Sequence, residues 1–187
     1  MFAFTVACAT SSPNVVYYTM DSLADAQQPL MEENALSIAM GPAEFPNYLQ
    51  RNQLVMRKDN RLHVEDFHRW GASFETMVLS TLGENVRHLI NSPRIVVYPG
   101  VPRFALNYRI VMDVLQLEGA LGGEVELNVR WMVLDASGKS ALLVTQTKLS
   151  QKTSSRSYDA LVDAYNVLLA KLANEMATAI QALQQAE

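Results

Sequence analysis

The sequence predicts an α+β domain, a mostly antiparallel sheet packed with two main helices and preceded by an N-terminal tether. Three observations carry this. Residues 107–149 alternate apolar and polar side chains, the period of a half-buried strand. Two stretches, 74–89 and 158–183, instead repeat apolar residues every three and four positions, the period of an amphipathic helix. The 187 residues suffice for one domain with a sizeable core, and no internal repeat divides them.

Taken in order, residues 9–14 are small and polar and read as a tether. Residues 15–20, VVYYTM, are β-branched and aromatic and predict a strand. A polar loop covers 21–34, and a second strand, 35–40, stops at Gly41-Pro42. Phe45-Pro46 then opens one helical turn through Asn47, Tyr48 and Leu49, since proline is tolerated where its missing N–H is not needed. The run 41–57 therefore reads as strand end, corner, helical turn and strand start. Asp59-Asn60 turns a third strand, 53–57, into a short return strand at 61–64. Residues 67–71 read as an ordered loop. Ser73 caps the first helix, which ends at Asn91-Ser92-Pro93. A short strand, 94–98, is broken by Pro99-Gly100-Val101-Pro102. Strands at 107–116, 124–134 and 141–149 form a meander, and Ser157 caps the last helix.

Composition narrows the function. A net charge of −4 with scattered basic residues argues against a nucleic-acid surface. No apolar run approaches the ~20 residues that span a bilayer. His63 and His68 flank Glu65 and Asp66 but do not match a metal spacing, and His88 stands apart. Neither a nucleophile elbow nor a phosphate-binding loop is present, and the glycines at 119–123 join two strands rather than a strand and a helix. Trp70 and Trp131 read as core anchors. These readings point to a non-enzymatic domain with no catalytic residue, metal or cofactor.

Cys8 is the one cysteine, so neither a disulfide within the chain nor a cysteine metal site can form. It follows FAFTVA and precedes ATSSPN, a pattern similar to a bacterial lipoprotein processing site, with Thr5 where leucine is usual and no basic region ahead of it. Seven residues are short for a signal peptide, which implies a start further upstream or a trimmed chain. Taken locally, Cys8 is either a lipid acceptor or an incidental thiol.

Tyr17-Tyr18-Thr19-Met20, the corner GPAEFPNYLQRNQLVMR, Asn60-Arg61-Leu62, Phe67-His68-Arg69-Trp70, Gly123-Glu124-Val125-Glu126-Leu127 with Trp131, and Tyr158-Asp159-Ala160-Leu161-Val162 occur in this order. Together they resemble the ABC-type transport auxiliary lipoproteins, the PqiC/YmbA-like family, with Asn166 standing where that pattern has serine. The resemblance implies a tether at 1–14 and a single domain at 15–187. It implies an outer-membrane lipoprotein, anchored through Cys8 and facing the periplasm. Such a protein serves as a docking component beside an ABC transporter complex and an MCE-domain protein that move lipids between the envelope membranes, and self-associates into a homo-oligomer such as a ring. Tyr48, Leu49, Arg51 and Trp70 match the family pattern as partner-contact or structural residues; Arg51 pairs with Glu44 or Asp66, or, if exposed, meets a partner. The alternative is a lipid- or small-ligand-binding domain that handles cargo itself, which requires an apolar cavity lined by Met112, Trp131 and Tyr165.

Overall fold

One strand, β6 (Tyr108–Gly119), is the spine of a computed structural model that describes residues 14–26, 28–33 and 35–186. Cys8 and the tether around it lie outside the described residues. Along one edge, β6 pairs antiparallel with β7 (Glu124–Asp135) from Tyr108 opposite Asp135 to Gly119 opposite Val125, and β7 pairs antiparallel with β8 (Ala141–Lys152). Each is 12 residues long, and the meander follows from the alternation in the sequence.

The other edge of β6 is shared. Its first half takes β2 (Ile38–Glu44) in parallel, from Ile38 opposite Tyr108 to Glu44 opposite Asp113. Its far end takes β3 (Gln53–Lys58), with Met56 opposite Gly119. Outside β2 lies β5 (Ile95–Val97), and outside β3 lie β4 (Arg61–Trp70) and then β1 (Val16–Tyr18). The sheet of eight strands thus forks along β6, and residues 45–52 sit in the fork. The fold class is as the sequence predicts. The sheet itself is mixed: the long pairings are antiparallel, and the arms add parallel ones, β1 with β4, β2 with β5, and β2 and β3 with β6.

The second strand does not stop at Gly41-Pro42 as expected: β2 runs through both residues to Glu44, and the break shows only as a shift of register against β6 between Met40 and Ala43, so the corner starts at Phe45-Pro46. Gly41 adopts φ +97, where a Cβ would approach the Tyr98 Cβ to 2.7 Å, so both conformation and space demand glycine. Pro46, at φ −54, leads into a single 3-10 turn, Asn47–Leu49. The return strand is longer than local composition suggests. β4 takes in residues 65–70, expected partly as loop, because β1 pairs with its last three residues, Val16 opposite His68 and Tyr18 opposite Trp70. That pairing joins residues about 50 positions apart and leaves no trace in a local window.

Both helices cover one face of the sheet. α1 (Phe74–Ile90) starts at Ser73, whose side chain accepts from the Thr76 N–H, and ends at Asn91 in the left-handed region. α2 (Tyr158–Gln185) starts at Ser157, which accepts from the Ala160 N–H. Beneath them Val125, Leu127, Val129, Trp131 and Val133 of β7 are buried, while Glu124, Glu126 and Arg130 of the same strand are exposed. The opposite sheet face therefore carries no helix. Phe45, Trp70, Phe74 and Tyr165 form an aromatic cluster at the fork, with ring centroids 5.4–6.1 Å apart in tilted and edge-on geometry. Two buried amides, Asn85 and Asn166, tie the loop after β1 to the helices by accepting from the backbone N–H groups of Leu23 and Asp21.

Gly119 closes the fork. A Cβ there would lie 2.5 Å from the Glu124 carbonyl oxygen and 2.7 Å from the Val125 Cα, atoms that move only with the backbone. Gly119→Ala should therefore destabilise the domain by roughly 1–3 kcal/mol, read from the midpoint of urea unfolding.

Candidate functional site

The most tightly built polar site is the carboxylate of Glu118, near the end of β6. Its register partner is Glu126, on the sheet face without helices, yet its side chain has no exposed surface. The corner covers it. The Tyr48 hydroxyl donates to Oε2 at 2.7 Å, Arg57 Nε donates to Oε1 at 2.5 Å, and the Leu117 N–H donates to Oε2 at 3.2 Å. Arg57 also lies 5.6 Å from the centre of the Tyr48 ring. A buried carboxylate is costly unless paired and hydrogen-bonded, and here the bonds come from the corner, β3 and β6. Burial, followed by the bond to Glu118, raises the Tyr48 hydroxyl above its ordinary range, and Glu118 does the same for Arg57. Tyr165 of α2 stands behind the site, its hydroxyl reaching the Leu117 carbonyl at 3.5 Å, and burial pushes it far up.

A second cluster lies at the β1 edge. His68 stacks on Tyr158 with ring centroids 3.5 Å apart and 14° between planes, and its Nδ1 is 2.8 Å from the Tyr18 hydroxyl. His63 Nε2 is 3.0 Å from Glu65. Burial first, then the hydrogen bond to Glu65, pushes Tyr158 up to about 12. His63 and His68 thus each have a carboxylate or phenol neighbour. Among the described residues no group of three or more His, Cys, Asp or Glu is arranged to hold a metal ion.

The motif residues separate on this framework. Tyr48 is half-buried on Glu118, Leu49 is in the core, and Trp70 is in the aromatic cluster. Arg51 is exposed, and neither Glu44 nor Asp66 pairs with it among the described ion pairs. Sequence reasoning missed Glu118 and Arg57. The available signal was one acidic and one basic residue, each at the end of an apolar strand run, VMDVLQLEG and QLVMR. Met112, Trp131 and Tyr165 are 5%, 2% and 1% exposed and belong to one continuous core cluster, so side chains fill the space between helix and sheet. No helix of the described residues is long and apolar enough to cross a membrane.

Removing either donor should uncover the carboxylate. Tyr48→Phe should cost about 1–2 kcal/mol, and Arg57→Ala roughly 1–3 kcal/mol, less than for a fully buried pair because Arg57 is 35% exposed, both by urea unfolding. Alkaline titration tests the β1 edge. The folded state holds the neutral phenol of Tyr158 up to about 12, whereas the unfolded chain releases its proton near 10.0. The contribution is complete below pH 10.0 and is lost as pH rises towards about 12, so Tyr158→Phe should flatten the alkaline fall in stability.

Comparison with known proteins agrees with this architecture. The family model described as ABC-type transport auxiliary lipoprotein component matches residues 18–177. No curated protein matches the chain. A crystal structure of an uncharacterized protein superposes with a TM-score of 0.70 at 20% identity, covering 90% of this chain and 99% of its own. Protein XCC0632 from Xanthomonas campestris superposes with a TM-score of 0.67 at 13% identity, covering 92% of this chain and 97% of its own. At such identities both likenesses are of fold alone.

Proposed function

The chain belongs to the ABC-type transport auxiliary lipoprotein family, and from that premise we propose that it is a non-catalytic docking component of an intermembrane lipid transport system. In this reading the domain faces the periplasm, held at the outer membrane by acylated Cys8. It sits beside an ABC transporter complex and an MCE-domain protein and assembles as a homo-oligomer, in a ring. Residues 1–14 serve as the tether and 15–187 as the docking domain.

The observation that carries the reading is a filled core beneath an open sheet face. A cargo carrier needs a cavity of several hundred Å³ enclosing its ligand. Here the side chains that would line it, Met112, Trp131 and Tyr165, pack against one another's neighbours in the continuous core. Handling of lipid therefore falls to other parts of the complex, and this chain contributes surface. Arg51, exposed on the corner, is a partner contact, while Tyr48, Leu49 and Trp70 hold the corner that presents it. Acyl chains on Cys8 suffice for anchoring, since each buried CH₂ contributes ~0.8 kcal/mol and several chains act together.

The intact mass of the protein from the envelope of a bacterium expressing the gene with its natural upstream sequence tests the anchor. The expected mass begins at Cys8 and includes a diacylglycerol and an acyl chain, and a Cys8→Ser variant lacks both and leaves the membrane fraction. An unmodified chain with the same mass in soluble and envelope fractions would overturn the anchoring.

A further inference from the structure

Of three strongly exposed aromatic side chains among the described residues, two, Tyr17 and Phe67, lie at the edge of the sheet that the tether leads into, and the third, Tyr98, follows β5. Tyr17 of β1 is 62% exposed and Phe67 of β4 is 43% exposed. Tyr17 lies opposite Arg69, and Phe67 stands two residues before Arg69 on β4. On the helix side of the same strands, Tyr18 and Trp70 are packed inward. The neighbouring β3–β4 turn adds exposed Leu62 with Lys58 and Arg61. Three cations, Lys58, Arg61 and Arg69, stand among three acids, Asp59, Glu65 and Asp66, so the patch carries basic side chains without a net charge.

Chain length says what this patch meets. Cys8 precedes Val16 by eight residues, and a chain spans at most ~3.6 Å per residue, so an anchor at Cys8 keeps β1 within about 29 Å of its attachment point. The opposite edge, β8, lies five strand steps from β1, about 24 Å further at ~4.8 Å per step. A bilayer holding Cys8 thus lies nearer the β1 edge than the β8 edge along the chain. Tyrosine and phenylalanine flanked by arginine and lysine suit the boundary between headgroups and acyl chains, where an apolar body and cationic neighbours are both satisfied. A second copy fits less well, because β1 offers only three residues of strand edge to pair with.

We infer that the β1 edge is a bilayer-facing surface: Tyr17 and Phe67 seat in the headgroup zone of a phospholipid membrane, with Arg69, Arg61 and Lys58 on its phosphates, and the domain stands edge-on to the membrane. This rests on attachment through Cys8 as proposed above.

Cys8 is the single cysteine, so the full chain can be coupled through it to vesicles of phosphatidylethanolamine and phosphatidylglycerol bearing a maleimide lipid, which supplies the anchor whether or not cells acylate it. Trp70 and Trp131 are buried and give a constant background, so tryptophan introduced at an exposed site reports locally. Tyr17→Trp and Val144→Trp, the latter on β8 where Val144 is 58% exposed, are compared in vesicles with and without brominated lipid. The inference expects the added emission of Tyr17→Trp to be quenched several-fold more than that of Val144→Trp. Equal quenching would mean that the domain lies flat, and would overturn it. An unquenched Tyr17→Trp whose emission shifts to the blue as protein density rises would overturn it in favour of a second copy. Absence of acylation in cells shows separately, in the intact mass, and leaves this comparison readable.

Discussion

A single carboxylate holds the fork of the sheet. β2 and β3 leave the same edge of β6 in two arms, and the chain between them must cross from one to the other without exposing backbone or core. Glu118 is where this is settled. Its charge, taken out of water, is stable only while Tyr48 from the corner and Arg57 from β3 donate to it. The corner's apolar residues, Phe45 and Leu49, meanwhile enter the core on the helix side, where Phe45 meets Phe74 edge-on. The corner is thus pinned through both layers, by aromatic packing on one side and by a charge-assisted pair on the other. Tyr165 joins the two, touching the aromatic cluster with its ring and the Leu117 carbonyl with its hydroxyl.

This construction bears on the docking role proposed above. The helices and one sheet face share a continuous core in which Met112, Trp131 and Tyr165 are buried, and the other face carries no helix. The corner presents Arg51, and the β1 edge presents Tyr17 and Phe67 next to the tether. The proposed docking role needs contact surfaces held in fixed relation, and a fork clamped at Glu118 fixes the arm of β3, β4 and β1 against β6 and the β7–β8 side of the sheet. The His68–Tyr158 stack adds a second fastening, between β4 and the start of α2.

Much of the fold was legible locally. Alternation gave the meander, three-four spacing gave both helices, and Ser73 and Ser157 announced their caps. Phe45-Pro46 marked the corner, and the 3-10 turn formed where proline allowed it, whereas Gly41-Pro42, read as a strand end, lies within β2, whose edge bonds to β6 resume beyond it. What local pattern could not supply was pairing at long range. The last residues of β4 read as loop because their partner, β1, is about 50 positions earlier. Of the site, Tyr48, Leu49, Arg51 and Trp70 were found through motif likeness, but their roles were not. Tyr48 is a donor only because Glu118, 70 residues on, is folded beneath it. Glu118 lies beyond the strand expected at 107–116 and beside the glycines at 119–123, and burial of an acid is decided by what covers it.

The claim that one carboxylate holds the arm of β3 and β4 to β6 is most directly tested by native-state hydrogen exchange on the Glu118→Gln variant, which keeps the shape and removes the charge. The account predicts that amides of β3 and β4 lose protection while those of β7 and β8 retain theirs. Protection unchanged throughout the sheet, or lost evenly from every strand, would contradict it.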